Sequence, residues 1–282
     1  MLYKRAALCV KLRVNPKKRF GLSEEWWAAV RPLLPRRRNR HPCGGGRKPT
    51  DPRRALAAIV FVWRTGCQWR ALDVTGLCKG TTAHNWFQRW MRAKVFERFW
   101  RSQLQHYDEL VGLDWSFVSV DGCMTKAPLG GEKIGPNPTD RGKCGTKVGV
   151  QTDAAGVPLA VVVSGANRHD LKLLAEVLAQ AQRLRPAARQ GTHGLCLDKG
   201  FDYPISRELA DYYGYRLHLR GRGEDRPQKQ PPWKPRRWVV ERTHGWLHRS
   251  SRRVLVRWEK KADNFLAFVH LSCAAIILFA QR

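Results

Sequence analysis

Acidic residues are scarce in this chain of 282 residues: 23 Asp and Glu stand against 52 Lys and Arg, a formal net charge of +29. Such an excess repels itself unless a polyanion neutralises it, so nucleic acid is the expected partner, although charge alone does not say what is done to it. No apolar run reaches the ~20 residues that a membrane span needs. The longest, 265–280, has 16 residues and is interrupted by His270 and Ser272, which suits a buried C-terminal core helix. Close cysteine pairs are missing as well. The eight cysteines, at 9, 43, 67, 78, 123, 144, 196 and 273, include no C-x-x-C, which argues for reduced thiols in a cytoplasmic protein. His41, Cys43, Cys67 and Cys78 are spaced too irregularly for a zinc set. Within the first twenty residues only Ala6 to Val10 is apolar, too short for a secretory core.

The basic excess is uneven. Residues 1–110 hold 24 Lys and Arg and 7 Asp and Glu, which marks the N-terminal part as the main DNA grip. Residues 1–21 read as a basic arm without fixed structure. Over 22–111 the periodicity is helical, as in a small all-α DNA-binding domain. Ser23, Glu24 and Glu25 predict a capped helix reaching Pro35. The stretch 36–48, RRRNRHPCGGGRK, cannot bury apolar surface and suits either a phosphate-contacting strap or a solvated tether. Asp51 and Pro52 open a second helix that Gly66 stops. Thr81 or Thr82 caps a third, with Trp86, Phe87 and Trp90 on one side and His84, Asn85, Gln88, Arg89 and Arg92 elsewhere. That pattern suits a helix-turn-helix recognition helix, with Arg89 and Arg92 as DNA contacts. A fourth helix covers about 95–111.

Beyond residue 112 the pattern turns to β-branched runs. Strands are expected at 117–120, 147–152 and 157–164, the last two joined by Asp153–Gly156. A helix capped by Asp170 follows, then a strand at 194–197, a helix at 205–213, a strand at 215–219, a helix at 236–250 and the terminal helix. Three strands, then helix, strand, helix, strand, helix is the ribonuclease H-like order, an α/β mixed sheet flanked by helices, and 112–282 is read as the catalytic domain.

In that order an acid ending the first strand and one ending the fourth become neighbours, and a late helix adds a third. Asp121, Asp198 and Glu241 hold those positions. Asp202, past Gly200, is the nearest competitor for the second. Three converging carboxylates repel one another without cations, so two hard ions, Mg²⁺ or Mn²⁺, are the expected occupants. Such a pair assists in-line displacement at phosphorus. Arg237, His244 and His248 fall near the face of Glu241 on its helix, and Arg249 follows. Of these, Arg237, His248 and Arg249 are candidate DNA contacts. The loop GPNPTDRGKCGTK places Arg141, Lys143 and Lys147 among glycines, near Asp121.

Several stretches in order carry a resemblance: WWAAVRPLLP, RTGCQWR at 64–70, VDG at 120–122, APLGGEKIGPNPTDRGKCGTK at 127–147, ANRHDLKLL at 166–174, LDKGFD at 197–202 and VVERTHGWLHR at 239–249. From about Leu22 onward the chain resembles bacterial insertion-sequence transposases of the DDE superfamily. The resemblance implies cleavage and strand transfer of double-stranded DNA at terminal inverted repeats, with Asp121, Asp198 and Glu241 as the acids. It also implies a homo-oligomer assembled on DNA, in the cytoplasm at the nucleoid and with no membrane role. Some of these transposases place a Tyr, Arg and Lys around the Glu; the corresponding residues here are Lys234, Arg237 and His248. A nuclease that cuts without joining, or an inactive DNA-binding descendant, would share much of this pattern.

Overall fold

A computed structural model of the chain describes residues 21–36, 49–185, 193–219 and 238–280. The arm up to residue 20, all of the 36–48 strap except Arg36, and Lys234 and Arg237 lie outside the described residues.

Helix α1, Glu24–Val30, begins where the Ser23 hydroxyl accepts the Trp26 N–H at 3.3 Å, and a 3₁₀ turn, Arg31–Leu33, carries it towards Pro35. Helix α2, Pro52–Thr65, starts on Asp51, whose carboxylate accepts the Arg53 N–H at 2.9 Å. It stops at Gly66, which takes φ +72°, a value that favours glycine. Helix α3, Gly80–Arg92, is not capped by Thr81 or Thr82, which lie inside its first turn. Asp73 takes the Gly80 N–H instead, at 2.7 Å. The 3₁₀ segment Trp69–Val74 folds back so tightly that a Cβ on residue 80 would stand 2.1 Å from the Trp69 carbonyl oxygen. That segment also makes the α2–α3 connection longer than the 3–4-residue turn of a compact helix-turn-helix. Helix α4 is Val95–Leu110.

The sheet has β1 (Phe117–Lys126), β2 (Gly135–Pro136), β3 (Cys144–Thr152), β4 (Pro158–Gly165), β5 (His193–Cys196) and β6 (Tyr215–His218). Apart from the short β2 beside one end of β3, the strand order is β4-β3-β1-β5-β6. β1, β3 and β4 pair antiparallel, whereas β5 and β6 continue parallel to β1. This is the ribonuclease H-like mixed sheet. Helices α5 (Asp170–Gln182) and α6 (Pro204–Tyr212) make the connections between strands, and α7 (Trp238–Ser250), α8 (Arg252–Leu255) and α9 (Ala262–Ala280) close the chain. Two details depart from expectation. β1 runs five residues past Asp121, because β3 keeps pairing with it as far as Lys126. The cap of α5 is His169, whose ring accepts the Leu171 N–H, because Asp170 is occupied by Lys147.

Helix α9 is long and apolar enough to cross a membrane by composition, yet most of it is buried inside the fold. A helix apolar all round must be covered on every side, and here the N-terminal helices supply the cover. The Trp63 indole N–H donates to the Ser272 hydroxyl at 2.8 Å, Phe87 stacks on Phe268 at 4.7 Å, and Trp100 stacks on His270 at 5.2 Å. The Ser251 hydroxyl donates to the Trp63 carbonyl. The change of pattern near residue 112 therefore separates two kinds of secondary structure but not two cores: buried residues from Trp26 to Ile277 form one cluster.

Candidate active site

The parallel strands β1 and β5 pair through Phe117↔Gly194, Val118↔Leu195 and Ser119↔Cys196, and there the ladder stops. Asp121 and Asp198 each stand two residues beyond that last pair. Strand alternation puts residues two apart on one face, and paired residues of neighbouring strands share a face about 5 Å apart. The two carboxylates thus leave the sheet at one level and on one side. Each is steadied in the same way: Asp121 Oδ1 accepts the Gly122 N–H at 2.8 Å and Asp198 Oδ1 accepts the Lys199 N–H at 2.7 Å. Beyond Asp198 the chain turns into the 3₁₀ segment Lys199–Phe201, which takes Asp202 away from the strand end.

Helix α7 runs along the same flank. Its His248 Nε2 stands 3.8 Å from Cys123 Sγ, and His244 packs against the backbone of Asp121. Four residues of helix advance about 6 Å and two of strand about 6.6 Å, so helix and strand keep step. Glu241 precedes His244 by three positions on that stripe and is exposed in the first turn of α7. Burial pushes the pKa of His244 down to about 4, with His248 adding to the fall and only the Asp121 backbone opposing it. Burial also lowers the pKa of His248 and pushes the Cys123 thiol up to about 12, with Asp121 contributing. The groups behind Asp121 are therefore uncharged at neutral pH. Sequence spacing places His244 on the Glu241 face, but its packing on Asp121, and Cys123 altogether, escape a sequence reading, since only the pairing of α7 with β1 brings them there.

Carboxylates are hard oxygen donors, and the two beyond the end of the β1–β5 ladder, with a third on the helix along the same flank, fit divalent cations such as Mg²⁺ in donor chemistry. Among the described residues no group of three or more His, Cys, Asp or Glu stands assembled as a ligand set. The part of the site that the sheet itself builds is thus the aspartate pair.

The basic residues expected around these acids divide. Arg141 is exposed at a loop tip with φ +52°, and Lys143 is exposed beside it. Lys143 and Lys126 both lean on Asp140, at 4.0 and 3.4 Å. Such exposed pairs contribute ~0–1 kcal/mol and leave the lysines exchangeable for phosphate. Lys147 differs from expectation: its ammonium is buried, 2.9 Å from Asp170 Oδ1, and donates to the Arg168 carbonyl at 2.8 Å. It lies within the fold because β3 is central in the sheet and α5 covers it. Arg249 is exposed in the last turn of α7, at the edge of a groove formed with Trp246, Ile276 and Phe279. His248 is half-buried against Cys123 and Arg237 lies outside the described residues. On α3, Phe87 and Trp90 are buried, and Gln88 donates to Asn264. Thr81, Asn85 and Arg92 form the exposed side, with Arg89 over the Trp86 ring at 5.5 Å.

Residues 22–100 match the family model described as "Putative transposase of IS4/5 family", and residues 111–278 match the family model "Transposase DDE domain". A protein described as "Putative transposase for insertion sequence element IS402", from Burkholderia cepacia, is 37% identical over 150 residues, which cover 52% of this chain and 69% of that protein. An IS402 protein of 16.2 kDa from the same organism is 32% identical over 118 residues, covering 42% of this chain and 80% of that protein. Among solved structures, the catalytic domain of Mos1 mariner transposase aligns with 14% identity at a TM-score of 0.28, over 67% of this chain and 94% of that one.

Proposed function

The chain belongs to the DDE-domain transposases and is a DNA transposase, and on that premise we propose that Asp121, Asp198 and Glu241 are the acids with which it cuts and joins the ends of an insertion sequence. The observation that carries this reading is the shared level of Asp121 and Asp198 beyond Ser119↔Cys196, on one face of adjacent parallel strands. The Glu241 helix lies along that face.

This family uses divalent metal ions, and Asp121, Asp198 and Glu241 are the residues that would hold them, as two ions of Mg²⁺ or Mn²⁺. Bound there, the metals would neutralise the charge that develops on phosphorus oxygens and favour in-line displacement. The protein's own contributions are local. The Gly122 and Lys199 amides each hold one oxygen of an aspartate and so fix the direction in which its carboxylate leaves the backbone. Neutral His244, His248 and Cys123 behind Asp121 put no competing cation beside the carboxylates.

DNA is held by the exposed cations. Arg141 and Lys143, at the loop beyond β2, together with Arg249, and with Arg237 from outside the described residues, serve the strand being cut. Arg89 and Arg92 on α3 serve the flanking duplex. The substrate is double-stranded DNA bearing the element's terminal inverted repeats, with target DNA as the second partner. The working unit is a homo-oligomer on DNA in the cytoplasm, at the nucleoid.

The test is cleavage and joining of a labelled duplex that carries the element's own end, with Mg²⁺ or Mn²⁺. The wild-type chain should cut that duplex and transfer pre-cut ends into target DNA, and Asp121→Asn, Asp198→Asn and Glu241→Gln should bind the duplex and do neither. Full activity in any of the three would remove that acid from the site. Cutting without transfer of pre-cut ends would make the chain a nuclease.

A further inference from the structure

On the face of the sheet opposite the carboxylates, the ion pair Lys147–Asp170 lies against Gly122. The pair is short, 2.9 Å, and the Lys147 side chain is only 4% exposed. Gly122 pairs with Gly149 on β3, and α5 packs down on both. A Cβ on residue 122 would stand 2.7 Å from Asp170 Oδ1 and 3.2 Å from Lys147 Cδ. Glycine at 122 therefore lets a buried ion pair press directly against the backbone that follows Asp121.

The same turn of chain reaches the second aspartate. His169, next to Asp170, accepts the Leu171 N–H on Nδ1, which leaves Nε2 as the ring nitrogen that carries a proton. That nitrogen faces the Tyr203 hydroxyl at 3.4 Å, and the two rings meet edge to face at 5.4 Å. Tyr203 immediately follows the turn that Asp198 opens: Lys199–Phe201 is the 3₁₀ segment, and the Tyr203 N–H donates to the Phe201 carbonyl. Arg168 closes the turn from the other side by receiving Lys147 on its carbonyl.

We propose that the Arg168–His169–Asp170 turn is a positioning clamp that sets the spacing of the two aspartates, through Lys147 and Gly122 for Asp121 and through Tyr203 for Asp198. The inference rests on the reading of Asp121 and Asp198 as metal-holding acids. The ladder between β1 and β5 ends at Ser119↔Cys196, so beyond that point no backbone pairing holds the strands together. The clamp bridges them where the ladder has stopped.

The experiment uses the full chain, with Mn²⁺ binding in the absence of DNA followed by the electron paramagnetic resonance signal of free Mn²⁺. Alongside it run single-turnover cleavage at saturating DNA, DNA affinity and thermal melting. Asp170→Asn, Gly122→Ala and Tyr203→Leu should each weaken Mn²⁺ binding by roughly tenfold or more, as loss of outer supports to metal ligands does. They should slow cleavage in proportion and leave DNA affinity unchanged. Tyr203→Phe removes the hydroxyl contact with His169 but keeps the ring packing, so it should lose less Mn²⁺ affinity than Tyr203→Leu. The three disruptive substitutions act at separate points, so a melting defect in one leaves the others informative. Wild-type Mn²⁺ binding and cleavage in folded Asp170→Asn and Tyr203→Leu would overturn the clamp. Activity surviving in Asp121→Asn and Asp198→Asn controls would instead overturn the assignment of the acids.

Discussion

The indole N–H of Trp63, on α2, donates to the hydroxyl of Ser272, on α9, at 2.8 Å and with both residues buried. This bond joins the region matched by one family model to the region matched by the other. Ser272→Ala would leave the indole donor without its partner in an apolar setting, a loss of about 1–3 kcal/mol. Urea unfolding followed both by tryptophan fluorescence and by far-ultraviolet circular dichroism should show one transition, shifted to lower urea in the variant. Two separate transitions would contradict the shared core.

His270 is stacked on Trp100, and burial pushes its pKa down to about 3, with Arg101 and Lys94 contributing. Because the folded-state pKa lies below the unfolded value of about 6.5, the stabilising contribution of the neutral ring is complete above pH ~6.5 and is lost as pH falls from there towards 3. The slope is about 1.4 kcal/mol per pH unit. Asp153, whose pKa burial raises to about 6, acts in the opposite sense as pH falls through 6, whereas His244, lowered to about 4, acts in the same sense as His270, so the wild-type curve is a sum of several groups. The difference between wild type and His270→Leu isolates the histidine: the variant should gain on the wild type by about 1.4 kcal/mol for each pH unit below ~6.5. Parallel stability curves in denaturant titrations at several pH values would show that His270 does not titrate this way.

On α3 the stripe Thr81, Asn85, Arg89 and Arg92 faces out while Phe87 and Trp90 anchor the helix. Arg92→Ala and Arg89→Ala are expected to weaken binding of the element's end and to lower the slope of log affinity against log salt by about one for each phosphate no longer neutralised. Melting temperature should change little for Arg92→Ala, because that side chain is exposed. The Arg89 variant also gives up the cation–π stacking on Trp86, at a cost of ~0.5–1 kcal/mol. Salt titrations by fluorescence anisotropy give the answer, and an unchanged slope in both would move the DNA-binding surface off α3.

Glu241 is itself exposed in the first turn of α7, between the buried Val240 and the rest of the helix, so its role can be separated from folding. Glu241→Gln should leave melting and DNA affinity close to wild type while reducing metal-dependent cleavage on the order of 10²–10³-fold, the scale expected when a group that stabilises developing charge is removed. Glu241→Asp, which keeps the charge on a shorter stem, should recover part of that loss. Cleavage by the Gln variant at the wild-type rate would assign the third acid elsewhere.

The order of elements is legible in the sequence because period-2 and helical runs alternate cleanly after residue 112, and the strand order then follows from parallel crossovers. The end of β1 is not. Its apolar run stops at Val120, and Gly122 and Thr125 do not look like strand interior until β3 is seen pairing with them. The cap of α3 is hidden for a related reason: Thr81 is a better capping residue by type, but Asp73, seven residues upstream, takes the Gly80 N–H where the Trp69 carbonyl leaves no room for a side chain. Lys147, set among glycines, reads as a phosphate contact, whereas its true partner, Asp170, sits on another element and shows no link to it in sequence. The two aspartates are visible as acids at the ends of apolar strands. His244 and Cys123 are not visible as their neighbours, since only the packing of α7 on β1 puts them there.

The burial of α9 under the N-terminal helices has a consequence for how DNA is measured. On the proposal that α3 carries the duplex contacts and that the acids at the β1–β5 cleft cut, the two lie on one continuous packed body rather than at the ends of a tether. The protein then works as a fixed gauge, in which the number of base pairs between the recognised sequence and the cut is dictated by the dimensions of the fold. Element ends with base pairs added or removed in that interval would present the wrong phosphate to the cleft.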